Sequence, residues 1–119
     1  MQKISILLVF LSFVIWLSCT RDEAPEISCE GVASWDLNIK MIIQTNCVSS
    51  ECHDGSTIAP GIFLEYEGIK PDLVDGSFED EVVNSRTMPP FYAENSPTEL
   101  TQEELDLVIC WIAEGYPEN

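Results

Sequence analysis

The stretch Cys47-Val48-Ser49-Ser50-Glu51-Cys52-His53 decides how the rest of the chain is read. It holds the only histidine of the protein, and that histidine directly follows a cysteine. A short cysteine loop closed by Cys-His is the attachment signature of covalent haem, whose usual spacing is C-x-x-C-H. The chemistry imposes the order. Two thiols add to the two vinyl groups on one edge of the porphyrin, and the next residue must be an imidazole that reaches the iron. Here the loop is C-x4-C-H, and the additional residues bulge outward while the sulfurs keep their separation. Two other uses of the same residues stay open. One is a plain Cys47–Cys52 disulfide in an exported protein. The other is a zinc site of Cys47, Cys52 and His53, for which no fourth ligand stands at a usual spacing.

A helix leads into this loop. Ser34 is placed to cap it, and Trp35, Ile39, Ile42 and Ile43 recur at helical spacing through Gln44. The helix is expected to deliver Cys47 to the haem edge. Met41, lying mid-helix, is expected as core filler rather than as an iron ligand.

Beyond His53 the chain turns at Asp54-Gly55-Ser56 and runs on through Ile58-Ala59-Pro60-Gly61-Ile62-Phe63-Leu64. Gly55 and Gly61 supply backbone freedom in a loop that must pass close to the macrocycle. Pro60 is either an ordinary loop proline or a means of offering its neighbouring carbonyl to the second ring nitrogen of His53. Ile62, Phe63, Leu64 and Tyr66 are expected as apolar cover for the pocket. A single helical turn is expected over Glu65 to Lys70, stopped by Pro71. Asp75-Gly76 is a turn, and Ser77-Phe78-Glu79-Asp80 reads as the capped start of a short helix carrying Phe78, Val82 and Val83.

That helix runs into Arg86-Thr87-Met88-Pro89-Pro90. A thioether is a usual sixth ligand opposite histidine on haem iron. Pro89 holds Met88 extended, and Pro90 stiffens the chain beyond it. Met88 lies thirty-five residues past His53, ample chain to reach the opposite face. His53 and Met88 are therefore the expected axial pair.

After a polar loop from Asn95 to Thr98, Thr101-Gln102-Glu103-Glu104 is a capping box. Leu105, Val108, Ile109 and Ile112 form the apolar stripe of a last helix, which Gly115 ends with Pro117 just beyond. Cys110 falls off that stripe and is expected on the outer side of the helix, positioned to hold down an N-terminal segment.

The beginning of the chain suggests export. Met1-Gln2-Lys3 is a short positive region, and Ile4 to Leu17 is apolar apart from Ser5 and Ser12. A spanning helix needs about 20 apolar residues, so residues 1–18 read as a signal peptide. Ser18-Cys19 resembles a bacterial lipobox, with Trp16 where leucine is usual, and makes Cys19 the expected lipidation site; the alternative is an ordinary spare thiol. Cysteine arithmetic then closes. Of five cysteines, Cys19 takes lipid, Cys47 and Cys52 take haem, and Cys29 is left to pair with Cys110. Their loop constrains the unfolded chain by roughly 4.5 kcal/mol in the chain-entropy view.

Residues 19–33 read as the lipidated N-terminus and a polar, acidic tether, and residues 34–119 as one small domain. Past the signal peptide, four basic residues face twenty-one acidic ones, a net charge of −17. Such a surface repels nucleic acid, and no basic patch offsets it. It either steers the protein toward partners with a positive docking face or only keeps it soluble.

A helix running into C-x4-C-H-D-G, an Ala59-Pro60-Gly61-Ile62 segment, a Met88-Pro89-Pro90 loop and a terminal Trp111-Ile112-x-x-Gly115 together resemble the monohaem cytochrome c-like domains of Bacteroidetes and Planctomycetes lipoproteins. The similarity spans about residues 34–119. It implies an all-α, class I cytochrome c fold, in which the first and last helices cross and the intervening loops enclose the haem. It also implies covalent haem c on Cys47 and Cys52, with iron held by His53 and Met88. Arg21-Asp22-Glu23 resembles the acidic stretch that sends some Bacteroidetes lipoproteins to the outer face. The expected role is an electron carrier, lipid-anchored in a bacterial cell envelope on the periplasmic side or the outer surface, serving redox partner proteins. With both axial positions filled and no nucleophile–base pair or carboxylate dyad in the sequence, enzyme chemistry is not expected. The alternative is a haem-free lipoprotein, stapled by Cys29–Cys110 and Cys47–Cys52, that serves as a binding or assembly module. A peroxidase or ligand sensor ranks third, since it requires Met88 to be off the iron.

Overall fold

The computed structural model describes residues 27–48, 52–56, 59–92 and 99–119. The expected signal peptide, Cys19, most of the expected tether and the loop of residues 95–98 lie outside them. Every regular element among the described residues is helical.

Helix α1 spans residues 35–48, as three consecutive runs, Trp35–Ile39, Lys40–Ile43 and Gln44–Val48. Ser34 caps it, its hydroxyl accepting from Leu37 N–H at 3.3 Å. The first and last turns are wound wide, so that the Lys40 N–H reaches back five residues to the Trp35 carbonyl. Trp35, Ile39, Ile42, Ile43, Asn46 and Cys47 form the buried face. Cys47 thus lies inside the helix, which runs on past Gln44. Met41 does not fill the core: it is 75% exposed. It stands two positions from both Ile39 and Ile43, which at about 100° per residue places it on the opposite side.

Helix α2, Tyr66–Val74, contains Pro71 instead of stopping at it. Ile69 and Leu73 bury one turn apart, while Pro71 is exposed. The apolar face therefore continues past the proline, and the cost of its missing N–H falls on the solvent side. Helix α3 covers residues 77–84, as Ser77–Glu79 followed by Asp80–Asn84. Ser77 is its first residue rather than its cap. The Asp75 carboxylate does the capping, accepting from Ser77 N–H at 2.9 Å, and Gly76 makes the turn at φ 84°.

Helix α4, Gln102–Ala113, starts on the expected capping box. Thr101 Oγ accepts from Glu104 N–H, and the Glu104 side chain accepts from Thr101 N–H. It ends in a Schellman turn: Gly115 N–H donates to the Ile112 carbonyl and Tyr116 N–H to the Trp111 carbonyl. Its buried face is rotated from the expected stripe. Leu105 and Val108 bury as expected, but Ile109 and Ile112 are half-buried, and Trp111 and Cys110 are enclosed. Aromatic packing turns the helix. Trp111 meets Trp35 at 6.1 Å between ring centroids and Phe78 at 6.4 Å, and such rings outweigh two isoleucines in buried area. Cys110 is consequently internal rather than on the outer side, and it is bonded to Cys29 across 81 residues.

The C-terminal tail ties first and last helices together. The carbonyls of Pro117 and Glu118 accept from Trp35 and Asp36 N–H, each at 3.0 Å. Those are orphan donors of the first turn of α1, which would otherwise go unmet. Pro117 also accepts from the Trp111 indole, and the Tyr116 carbonyl accepts from the Tyr66 hydroxyl, both at 2.9 Å.

Candidate functional site

Each member of the Cys-His motif is placed by a different local device. Cys47 is held by the last turn of α1, where the neighbouring Asn46 side chain bonds the Ile42 carbonyl at 2.9 Å and Glu104 at 3.3 Å. That second bond fastens the end of α1 to the capping box of α4. The loop closes on itself through His53 N–H donating to the Cys47 carbonyl at 3.2 Å. It is then stitched to the following segment by Phe63 N–H donating to the His53 carbonyl at 2.8 Å. Residues 49–51 lie outside the described part.

The His53 ring lies flat on Phe63, with centroids 4.1 Å apart and planes 3° from parallel. Stacking and the Phe63–His53 backbone bond set the ring plane. The proposed Pro60 bond does not form: His53 Nδ1 is buried and makes no hydrogen bond, although Pro60 lines the same cavity. Phe63 packs so closely because of Gly61, whose φ is 82°; a Cβ there would stand 2.6 Å from the Phe63 ring. Of the residues expected to cover the pocket, only Phe63 does so. Ile62 and Leu64 are exposed, and Tyr66 packs instead on Trp35 at 5.9 Å.

Cys47, His53 and Met88 line one cavity of about 240 Å³. A second cavity, about 540 Å³, adjoins it and shares Val82 and Met88 as wall. The larger lies within the ~300–1,000 Å³ range usual for cofactor sites, and the smaller, which Cys47 and His53 line, lies just below it. Met88 reaches this place because α3 and the turn after it are tied: Thr87 and Met88 N–H both donate to the Glu81 carbonyl, at 2.8 and 3.2 Å. The Met88–Pro89 peptide bond is cis. Cys52 is half-buried beside His53.

Neither Cys47 nor Cys52 is in a disulfide. Burial, with Cys52 nearby, pushes the Cys47 thiol up to about 12, so it remains protonated at neutral pH. Among the described residues no three His, Cys, Asp or Glu side chains converge as metal ligands. The donors at the cavity are imidazole and thioether, a soft set suited to haem iron rather than to a hard cation. The residues present therefore fit the group that the motif implies.

Sequence reading missed four contributors. Asn46 sits next to the motif as an unremarked polar residue, and its reach to Glu104 depends on two distant helices meeting. Asp72 and Glu81 line the smaller cavity but look like any other surface acids in so acidic a chain. Gly68 packs so tightly inside α2 that an added Cβ would land on the Ile62 carbonyl oxygen; a lone helical glycine is the only signal that marks it. Against family models, curated proteins and solved structures, the chain matches none. No helix among the described residues is long and apolar enough to cross a membrane.

Proposed function

We propose that this protein is a monohaem c-type cytochrome that carries electrons. One observation carries the reading: Cys47, His53 and Met88, spread over forty-two residues of sequence, line a single cavity. Haem bound there supplies a one-electron ferrous–ferric couple. Cys47 and Cys52 would anchor it through thioethers. His53, its ring plane set by Phe63, and Met88, held by the Glu81 carbonyl, would supply the donors to its iron. With both donors supplied by protein, no position would be left for a substrate, and the role would be transfer rather than catalysis. The meeting of the first and last helices through Trp35 and Trp111 is what a class I cytochrome c fold requires.

In this reading Cys19 anchors the chain by lipid in a bacterial cell envelope. Its acidic surface favours redox partner proteins that present basic docking faces.

The test is covalent attachment. Protein made in a host competent for cytochrome c maturation should keep haem peroxidase staining on a denaturing gel, and its mass should exceed the polypeptide by one haem. After denaturation and alkylation neither Cys47 nor Cys52 should take up reagent, and Cys52→Ala should not retain haem. Two alkylated thiols together with complete loss of haem on denaturation sink the proposal.

A further inference from the structure

The described residues include three basic side chains that are charged at neutral pH, and one of them stands apart. Lys40 pairs with Glu65 at 2.9 Å and Lys70 with Glu67 at 3.2 Å. Arg86 enters no ion pair among the described residues. It lines the larger cavity instead, two residues before Met88. Its backbone lies in the left-handed region, with φ 51°, a conformation that large side chains rarely adopt. The surroundings impose it. Ser85 N–H donates to the Asp80 carbonyl at 2.7 Å, Thr87 and Met88 N–H converge on the Glu81 carbonyl, and the Ser85 and Thr87 hydroxyls meet at 3.1 Å.

The two cavities differ in charge. Asp72 and Glu81 line the smaller one, where Cys47 and His53 are, and a carboxylate brought there would meet like charges. In the larger one, the described residues place one carboxylate, Glu99, with Arg86 and the phenol Tyr92. Haem has its vinyl groups and its two propionates on opposite edges. Anchoring the vinyl edge at Cys47 and Cys52 leaves the propionate edge to the larger cavity. We infer that Arg86 binds a haem propionate, its guanidinium fork matching the carboxylate as a two-bond pair. The inference rests on the haem reading above and adds a cofactor-binding residue to it. Glu99 competes for the same guanidinium and would be displaced to solvent or share it.

Haem-loaded Arg86→Gln, Arg86→Lys and Lys70→Gln proteins test it, with three readouts: covalent haem per chain, midpoint potential, and the propionate-bending band in resonance Raman spectra. Arg86→Gln should still attach haem, lower the potential because a lost cation favours ferric iron, and shift the propionate band. Arg86→Lys should restore the potential but only part of the band, since an ammonium lacks the fork. Lys70→Gln should match the unmodified protein. An unmoved propionate band in Arg86→Gln overturns the inference, even if the potential falls, for that outcome means a nearby charge without carboxylate contact. Should Arg86→Gln fail to fold, a band in Arg86→Lys identical to the unmodified protein overturns it instead. A chain that never carries covalent haem defeats the haem reading and this inference with it, whereas a loaded chain with an insensitive band defeats this inference alone.

Discussion

Single residues in this protein differ sharply in what their loss should cost, and two methionines show why. Met88 lines both cavities, whereas Met41 is 75% exposed. In the haem-loaded protein, Met88→Ala should lower the midpoint potential, because sulfur favours ferrous iron, and should let carbon monoxide bind the reduced form. Met41→Ala should leave both unchanged and alter stability by no more than about 0.5 kcal/mol, as for a surface substitution. Spectroelectrochemistry and a carbon monoxide difference spectrum check the pair; unchanged ligand binding in Met88→Ala would mean that the sixth position is filled otherwise. Among the described glycines, Gly68 leaves least room for a side chain. Alanine normally gains about 1 kcal/mol over glycine within a helix, but here its Cβ meets the Ile62 backbone oxygen, which cannot swing aside as a flexible side chain would. Gly68→Ala should therefore destabilise in a chemical denaturation series, and a rise in stability would refute the close approach.

At the scale of elements, the caps of α1 and α4 were readable, whereas α1 and α2 run past their expected ends and the buried face of α4 is rotated. The Thr101–Glu104 box is local, four residues that need nothing else, and it forms as read. Thr101→Ala should cost about 1 kcal/mol, measured by urea unfolding, with an additional loosening of α1 because Glu104 also accepts from Asn46. The Asp75 cap on α3 carries a pH signature. Hydrogen bonds from Ser77 hold its carboxyl below the usual carboxylate value, and Ser56 does the same for Asp54. A depressed folded value contributes stability above the unfolded value of about 4 that is lost as pH falls through the folded one. Asp75→Asn should flatten the acid limb of stability against pH below about 4 without steepening it elsewhere. An acid limb identical to that of the unmodified protein would show that the cap contributes nothing through its charge.

For the whole molecule, the chain termini do much of the holding. The Cys29–Cys110 disulfide and the tail carbonyls of Pro117 and Glu118 both bind the segment around Trp35 to α4. Cys110→Ser should lower the melting temperature, by at most the equivalent of roughly 4.5 kcal/mol, while the visible spectrum of the haem-loaded protein stays the same, since neither cysteine lines the cavities. A spectral change of the kind expected for Met88→Ala would show that the disulfide acts on the haem site and not only on the frame around it.

The sequence by itself determined what depends on near neighbours: the apolar repeat of α1, the Ser34 and Thr101 caps, the glycine turns at Gly76 and Gly115, and the cysteine left for Cys29 to find. Apart from the cysteine pairing, which follows from counting thiols across 81 residues, each is settled within about one helical turn, by backbone freedom or by hydrogen bonds over three or four residues. Only the tertiary structure decided that α2 runs through Pro71, that α4 buries Trp111 in place of Ile109 and Ile112, and that Asn46 reaches Glu104. These outcomes turn on which distant surface a side chain meets. The rings of Trp35 and Phe78 pull Trp111 inward, and Ile69 with Leu73 outweighs one missing hydrogen bond on the solvent side. The same reason governs the candidate site: the Cys-His motif is visible as a string of residues, but its nearness to Met88 is a property of how α1, α3 and the Glu81 carbonyl pack.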